Sequence, residues 1–192
     1  MERQGDSTTD EVTATTVVVL LDLQPVFIEV VTNPEVLRRR NALLLEAASL
    51  FGMRVLLTEQ VPDKLGGFDE ELVALASNAP RFAKSAFSAF GAEGFTDALP
   101  AEGVDHLLLA GVETPICVYQ TALDATRAGL KTTILTDCIS CRRPTDDEWA
   151  LRCLGNAGCN LLPVETVFYE LLGEATNPLF RDFSRLVRKY DS

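Results

Sequence analysis

Thr15-Thr16-Val17-Val18-Val19-Leu20-Leu21-Asp22-Leu23 decides the fold. From Val17 to Leu21 there is no polar alternation, so a strand built from it must be covered on both faces. Similar β-branched or Leu-rich runs recur at 53–58, 82–84, 104–110, 130–136 and 160–162. Helical patterns separate most of them, at 34–51, 69–77, 114–128 and 146–156, and two more close the chain at 165–172 and 178–190. In the first helix, Val36/Leu37, Leu43/Leu44, Ala47/Ala48 and Leu50/Phe51 recur at helical spacing, Asn33-Pro34 marks the start and Gly52 the stop. Residues 61–67 are rich in turn formers. Strands alternating with helices imply βαβ units. The expected fold is therefore α/β, a three-layer αβα sandwich around a six-stranded parallel sheet, Rossmann-like. Residues 1–14 read as a mobile acidic tail and 15–192 as one domain.

The chain has 192 residues, and its 17 Lys+Arg against 28 Asp+Glu give a formal charge of −11. That balance excludes nucleic acid as an expected partner, because affinity for phosphate backbones comes mostly from Lys and Arg. The longest apolar runs, Val17–Leu21 and Leu107–Val112, fall far short of the roughly 20 residues that span a membrane, so no membrane association is expected. The first fourteen residues have neither the apolar core of a signal peptide nor the basic face of a presequence. Secretion is not expected, the location is taken as cytoplasmic, and the five cysteines are read as reduced thiols.

In parallel sheets, chemistry gathers at the carboxyl ends of the strands. Three such ends carry unusual residues. Asp22 interrupts the apolar end of the first strand before Pro25, where a partly desolvated carboxylate suits a general base or caps a turn. Lys84 is a lone cation between Phe82 and Phe87, placed either to snorkel to water or to pair with a carboxylate. Thr114-Pro115 reads as an N-cap and first helical residue, which puts Cys117 in the first turn, where free N–H groups favour thiolate and an adjacent oxyanion. Cys138 and Cys141 form C-x-x-C, but Cys153 and Cys159 lie too far apart to complete a zinc site of ordinary spacing, and Cys153 is placed on an apolar helix face with Trp149. His106, the only histidine, stands at a strand entry, the wrong end of the sheet for chemistry. No Gly-rich fingerprint is present, so no cofactor is expected, and the cysteine spacing with a single histidine leaves no metal expected either.

Asp22-Leu23-Gln24, Lys84 and Gly111-Val112-Glu113-Thr114-Pro115-Ile116-Cys117-Val118, in that order, resemble the isochorismatase-like cysteine hydrolase superfamily. Thr58-Glu59-Gln60, Phe87-Ser88 and Gln120-Thr121-Ala122-Leu123-Asp124 bring the chain nearest the isochorismatase domain-containing subgroup. The resemblance, which runs from about residue 15 to 190, implies an Asp22–Lys84–Cys117 triad. It also implies a cis peptide before Glu113, an oxyanion hole from the backbone N–H groups of Glu113 and Cys117, and frequent homo-oligomers. Gln24, Phe27, Gln60 and Ile116 are expected to contact the substrate, a small molecule. Pro115 stands where that subgroup usually has His. Nicotinamidases of the superfamily hold a metal through Asp and His, which a single His cannot reproduce. Isochorismatases proper cleave a vinyl ether without needing the cysteine, so Cys117 points to carbonyl chemistry, hydrolysis of a small amide or related C–N bond. Two other readings stay open, a catalytically silent binding or scaffold protein and a ribonuclease-type role.

Overall fold

The computed structural model describes residues 12–99 and 103–191. Most of the expected tail lies outside that range. Residues 12–15 form a helical turn rather than part of a tail, and the Val12 carbonyl accepts from the hydroxyls of Thr15 and Thr16.

Six strands, β1 (Thr16–Leu21), β2 (Arg54–Gln60), β3 (Arg81–Lys84), β4 (His106–Val112), β5 (Lys131–Ser140) and β6 (Asn160–Leu162), form one sheet. Every pairing is parallel, and the spatial order is β3-β2-β1-β4-β5-β6. The order in which strands are added therefore reverses between β1 and β4, and the crevice at their carboxyl ends is where such folds place ligands. All six residues of β1 are buried, as its unalternated sequence requires. One core packs around α2 (Pro34–Leu50) together with α8 (Val164–Leu172) and α9 (Phe180–Tyr190), and the other around α6 (Tyr119–Arg127) and α7 (Pro144–Asn156). These are the two outer layers of the expected sandwich.

Three short helices escape a periodicity reading because none completes two turns, α1 (Pro25–Ile28), α3 (Pro62–Leu65) and α5 (Phe95–Ala98), while the helix expected at 69–77 is present but shorter, α4 (Glu70–Leu75). A 3₁₀ turn at Ala89–Gly91 escapes it as well. β5 is longer than expected. Its register against β4 jumps from Leu109↔Ile134 to Gly111↔Ile139, so the intervening residues arch out of the ladder before pairing resumes at Val112↔Ser140. In that arch Asp137 accepts from Arg40 at 2.6 and 2.9 Å and from the Val164 N–H at 2.9 Å.

Two further expectations need correction. Asn33 occupies the N-cap position of α2 but makes no side-chain cap bond. Cys153 is exposed and Trp149 is 61% exposed, so neither contributes to an apolar helix face. The C-terminal helix α9 presents no free apolar stripe, because Phe183 and Val187 are buried and Leu179, Phe180, Leu186 and Tyr190 pack against the same core. Its end is tied down by Lys189 and Tyr190, which donate to Glu46 at 2.6 and 2.7 Å.

His106 does sit at the entry of β4, where its Nε2 lies 2.8 Å from the Thr133 hydroxyl. Burial, with nearby Lys131, pushes its pKa down to about 4 against a smaller opposing pull from Asp105. At neutral pH it is an uncharged structural residue at the amino ends of the strands, the end opposite Asp22 and Lys84.

Candidate active site

Asp22 leaves β1 with φ of 55°, a left-handed turn that Asp tolerates better than most residues. Its N–H donates to the Thr58 carbonyl at 3.1 Å, tying the turn to β2. The carboxylate faces inward and is almost fully buried. Oδ1 accepts from the Thr58 hydroxyl at 2.8 Å and Oδ2 from Lys84 Nζ at 2.7 Å. Lys84 ends β3, and its side chain is wholly enclosed. Nζ also donates to Gln60 Oε1 at 2.5 Å and to the Ala86 carbonyl at 3.3 Å, and stands 3.7 Å from Cys117 Sγ. An ammonium has three protons, and its partners are these acceptors and the sulfur, which accounts for a charged lysine with no access to water.

β4 approaches β1 closely enough that Gly111, at φ 110°, leaves no room for a side chain against the Leu21 backbone. The Val112–Glu113 peptide that follows is cis. The chain then enters a π-helical turn, Thr114–Val118, before α6 begins. This differs from the simple helix expected here. Glu113, not Thr114, is the N-cap, and Cys117 is the fourth residue of the turn. The Glu113 carbonyl accepts from Ile116 N–H at 3.0 Å and from Val118 N–H at 3.3 Å. Glu113 carries its carboxylate to Arg142, whose Nε lies 3.0 and 2.9 Å from its two oxygens.

Cys117 is 7% exposed, so only a small part of it is open to an incoming molecule. Burial pushes its thiol up to about 12, reinforced by the Asp22 carboxylate and a hydrogen bond to it, and opposed by Lys84. The resting sulfur is therefore a neutral thiol, not the thiolate that a helix start alone would favour, and it must surrender its proton to react.

The other expected substrate contacts divide. Gln24 is fully buried and is not a wall residue: Oε1 accepts from Gln60 N–H at 2.7 Å, while Nε2 donates to the carbonyls of Gln60 at 3.1 Å and Gly66 at 2.5 Å. It clamps the end of β2. Gln60 is likewise a support, accepting from Lys84 and donating to the Ser85 carbonyl at 3.0 Å. Phe27 and Ile116 are half-buried and remain available for contact. Among the described residues no three His, Cys, Asp or Glu side chains converge as a metal site. Sequence reasoning missed Thr58 as the second partner of Asp22 and Arg142 as the partner of Glu113, because both contacts join residues far apart in the chain.

A buried Asp–Lys pair beside a cysteine, at the switch point of a 3-2-1-4-5-6 parallel sheet, defines an α/β protein built around a strand-end thiol. Residues 16–166 match the family model described as Isochorismatase domain, and the chain belongs to that family, within the isochorismatase-like hydrolases. It is 34% identical over 171 residues to Isochorismatase domain-containing protein 2 of Bos taurus, covering 88% of this chain and 81% of that one. Among solved structures it is similar to the MAR1 ribonuclease of Caenorhabditis elegans, with 28% identity, a TM-score of 0.86 and coverage of 92% and 91%. It is also similar to the YcaC gene product of Escherichia coli, described as an octameric hydrolase of unknown specificity, with 25% identity, a TM-score of 0.82 and 95% of each chain covered.

Lys84→Met should cost about 3–5 kcal/mol, because it leaves the Asp22 carboxylate buried with no cation beside it and only the neutral Thr58 hydroxyl and Cys117 thiol to solvate it. Urea unfolding will show this as a lower midpoint at unchanged slope, and Asp22→Asn added to Lys84→Met should restore much of the loss. A wild-type midpoint for the single variant would mean that the pair is not a buried ion pair.

Proposed function

We propose that this protein is a cysteine hydrolase that cleaves a small amide or related C–N bond through a thioester on Cys117. The observation that carries the reading is the placement of Lys84 Nζ, 2.7 Å from Asp22 and 3.7 Å from Cys117 Sγ inside a water-poor site. Asp22 takes the thiol proton as sulfur attacks the carbonyl carbon. The C=O π pair becomes an oxyanion, received by the N–H groups of Glu113 and Cys117, donors that can each contribute roughly 3 kcal/mol. Collapse reforms C=O and breaks C–N, while Asp22 passes its proton to the departing nitrogen. A water then gives a proton to Asp22 and attacks the thioester. The C–S bond breaks and the proton returns to sulfur. Lys84 stays cationic throughout, its charge balancing the sulfur as negative charge develops there.

This reading takes the setting as cytoplasmic, and the octameric E. coli relative supports a homo-oligomer. The ribonuclease name of the C. elegans neighbour is not carried over. A charge of −11 opposes an RNA backbone, and the only histidine lies at the opposite end of the strands from Cys117.

The test is covalent. On incubation with a panel of small amides and an acid quench that preserves thioesters, peptide mass spectrometry should place an acyl adduct on Cys117 and none on the exposed Cys153. Labelling of Cys153 without any adduct on Cys117 across the panel would favour the scaffold reading.

A further inference from the structure

We propose that Arg142 is a positioning residue for this site: by holding the Glu113 carboxylate it sets the direction of the Glu113 backbone N–H that receives the oxyanion. The inference rests on the hydrolase reading above.

Glu113 is held at both its backbone carbonyl and its carboxylate. Its carbonyl accepts the two N–H groups of the π-helical turn, those of Ile116 and Val118. Its carboxylate straddles Arg142 Nε, at 3.0 and 2.9 Å, and Oε2 accepts from the Arg142 backbone N–H at 3.2 Å. The Glu113 side chain is 11% exposed, whereas Arg142 is 49% exposed, so the arginine lies over the carboxylate from the solvent side. The base of Arg142 is itself fixed. Ser140 pairs with Val112 in the sheet and donates to the Thr32 carbonyl at 2.8 Å, and the Cys141 carbonyl accepts from Thr32 N–H at 2.9 Å and from its hydroxyl at 3.1 Å. The loop after β5 is therefore a rigid post, and Arg142 ties the peptide after β4 to it.

A half-exposed ion pair adds little to stability. Its geometric effect is different. An oxyanion donor works only when aimed at the place where charge develops, and small misalignments are costly. Arg142 has no bond to Cys117, Asp22 or Lys84 among the described contacts, so its influence on the reaction runs through Glu113.

The test separates a reaction that needs the oxyanion donors from one that does not. Propionaldehyde adds to the thiol as a hemithioacetal: the S–C bond forms, the C=O π pair becomes the oxyanion, and the thiol proton passes through Asp22 to that oxygen. Iodoacetamide instead alkylates the same sulfur with loss of iodide, and no oxyanion forms. Arg142→Ala should weaken propionaldehyde binding about ten-fold while iodoacetamide alkylation of Cys117 stays within about two-fold of wild type. Glu113→Gln, which keeps the backbone N–H, should have the same effect. The double variant should be no worse than either single one, and Arg142→Lys should recover most of the affinity. Unchanged aldehyde binding in Arg142→Ala, equal loss in both reactions, or additive losses in the double variant would each overturn the inference. Wild-type protein that forms no hemithioacetal would reject the hydrolase reading itself, and the inference with it.

Discussion

Asp22→Asn will slow acylation of Cys117 by p-nitrophenyl acetate about a thousand-fold at pH 7, measured as the burst of p-nitrophenolate. The size follows from the thiol. With its pKa pushed up to about 12, mainly by burial and then by the Asp22 carboxylate, roughly one sulfur in 10⁵ is ionised at neutral pH without assistance. A base in contact with the thiol removes that handicap, and general-base assistance contributes about 10²–10⁴ in rate. The variant also loses a negative charge that disfavours thiolate, so part of the deficit is returned and the net loss falls inside that range. The sign of the pH dependence separates this account from simple damage to the site. A thiol without its base reacts in proportion to its ionised fraction, so the variant's rate should climb about ten-fold per pH unit from 7 upward until the lowered thiol pKa is reached. Wild type should change far less over the same interval. A variant that keeps the wild-type rate, or one that is slow with a flat profile, would remove Asp22 from the role of base.

Gly111→Ala should be the most damaging single-methyl change in the fold. An added Cβ would stand 2.1 Å from the Leu21 carbonyl oxygen and 2.6 Å from the Leu21 nitrogen, atoms of a strand that cannot move without breaking its pairing with β2. The backbone φ of 110° is also one that only glycine adopts at low cost. Two penalties on one position, neither relieved by rotating a side chain, place the loss above about 4 kcal/mol, a large part of the stability of an ordinary domain. Insoluble expression or a collapsed thermal midpoint is expected. Gly129→Ala separates the two penalties, since its φ is 80° but no atom lies within 4 Å of the added Cβ, and it should cost only about 1–2 kcal/mol. Comparable midpoints for the two variants would mean that β1 and β4 are less closely apposed than they are here.

Much of this architecture is legible along the chain. Continuous apolar runs such as Val17–Leu21 cannot be half-exposed strands, so a parallel sheet covered on both faces follows from local sequence. Asp22, Lys84 and Cys117 stand out because each breaks the chemistry of its own strand end, and a polar residue at the exit of a buried strand needs no distant partner to be noticed. His106 is placed by the same logic, at an entry and not an exit.

The remainder depends on pairings that no local window contains. The sheet order puts Asp22 beside Thr58 and Lys84, 36 and 62 positions away, and these contacts turn three candidates into one buried cluster. Gln24 and Gln60 are expected in the pocket because each is a polar residue at or just after the end of an inner strand. The fold uses both to satisfy the backbone and Lys84, since buried polar groups must find partners. The thiol is the sharpest case. A helix start argues for thiolate, but burial beside a carboxylate raises the cost of a second negative charge, and that neighbour arrives only when β1 and β4 lie side by side. Sequence alone therefore determined the layers and the residues capable of chemistry. Tertiary structure decided which of them meet and that Cys117 waits as a thiol, because charge and desolvation depend on distances that folding alone sets.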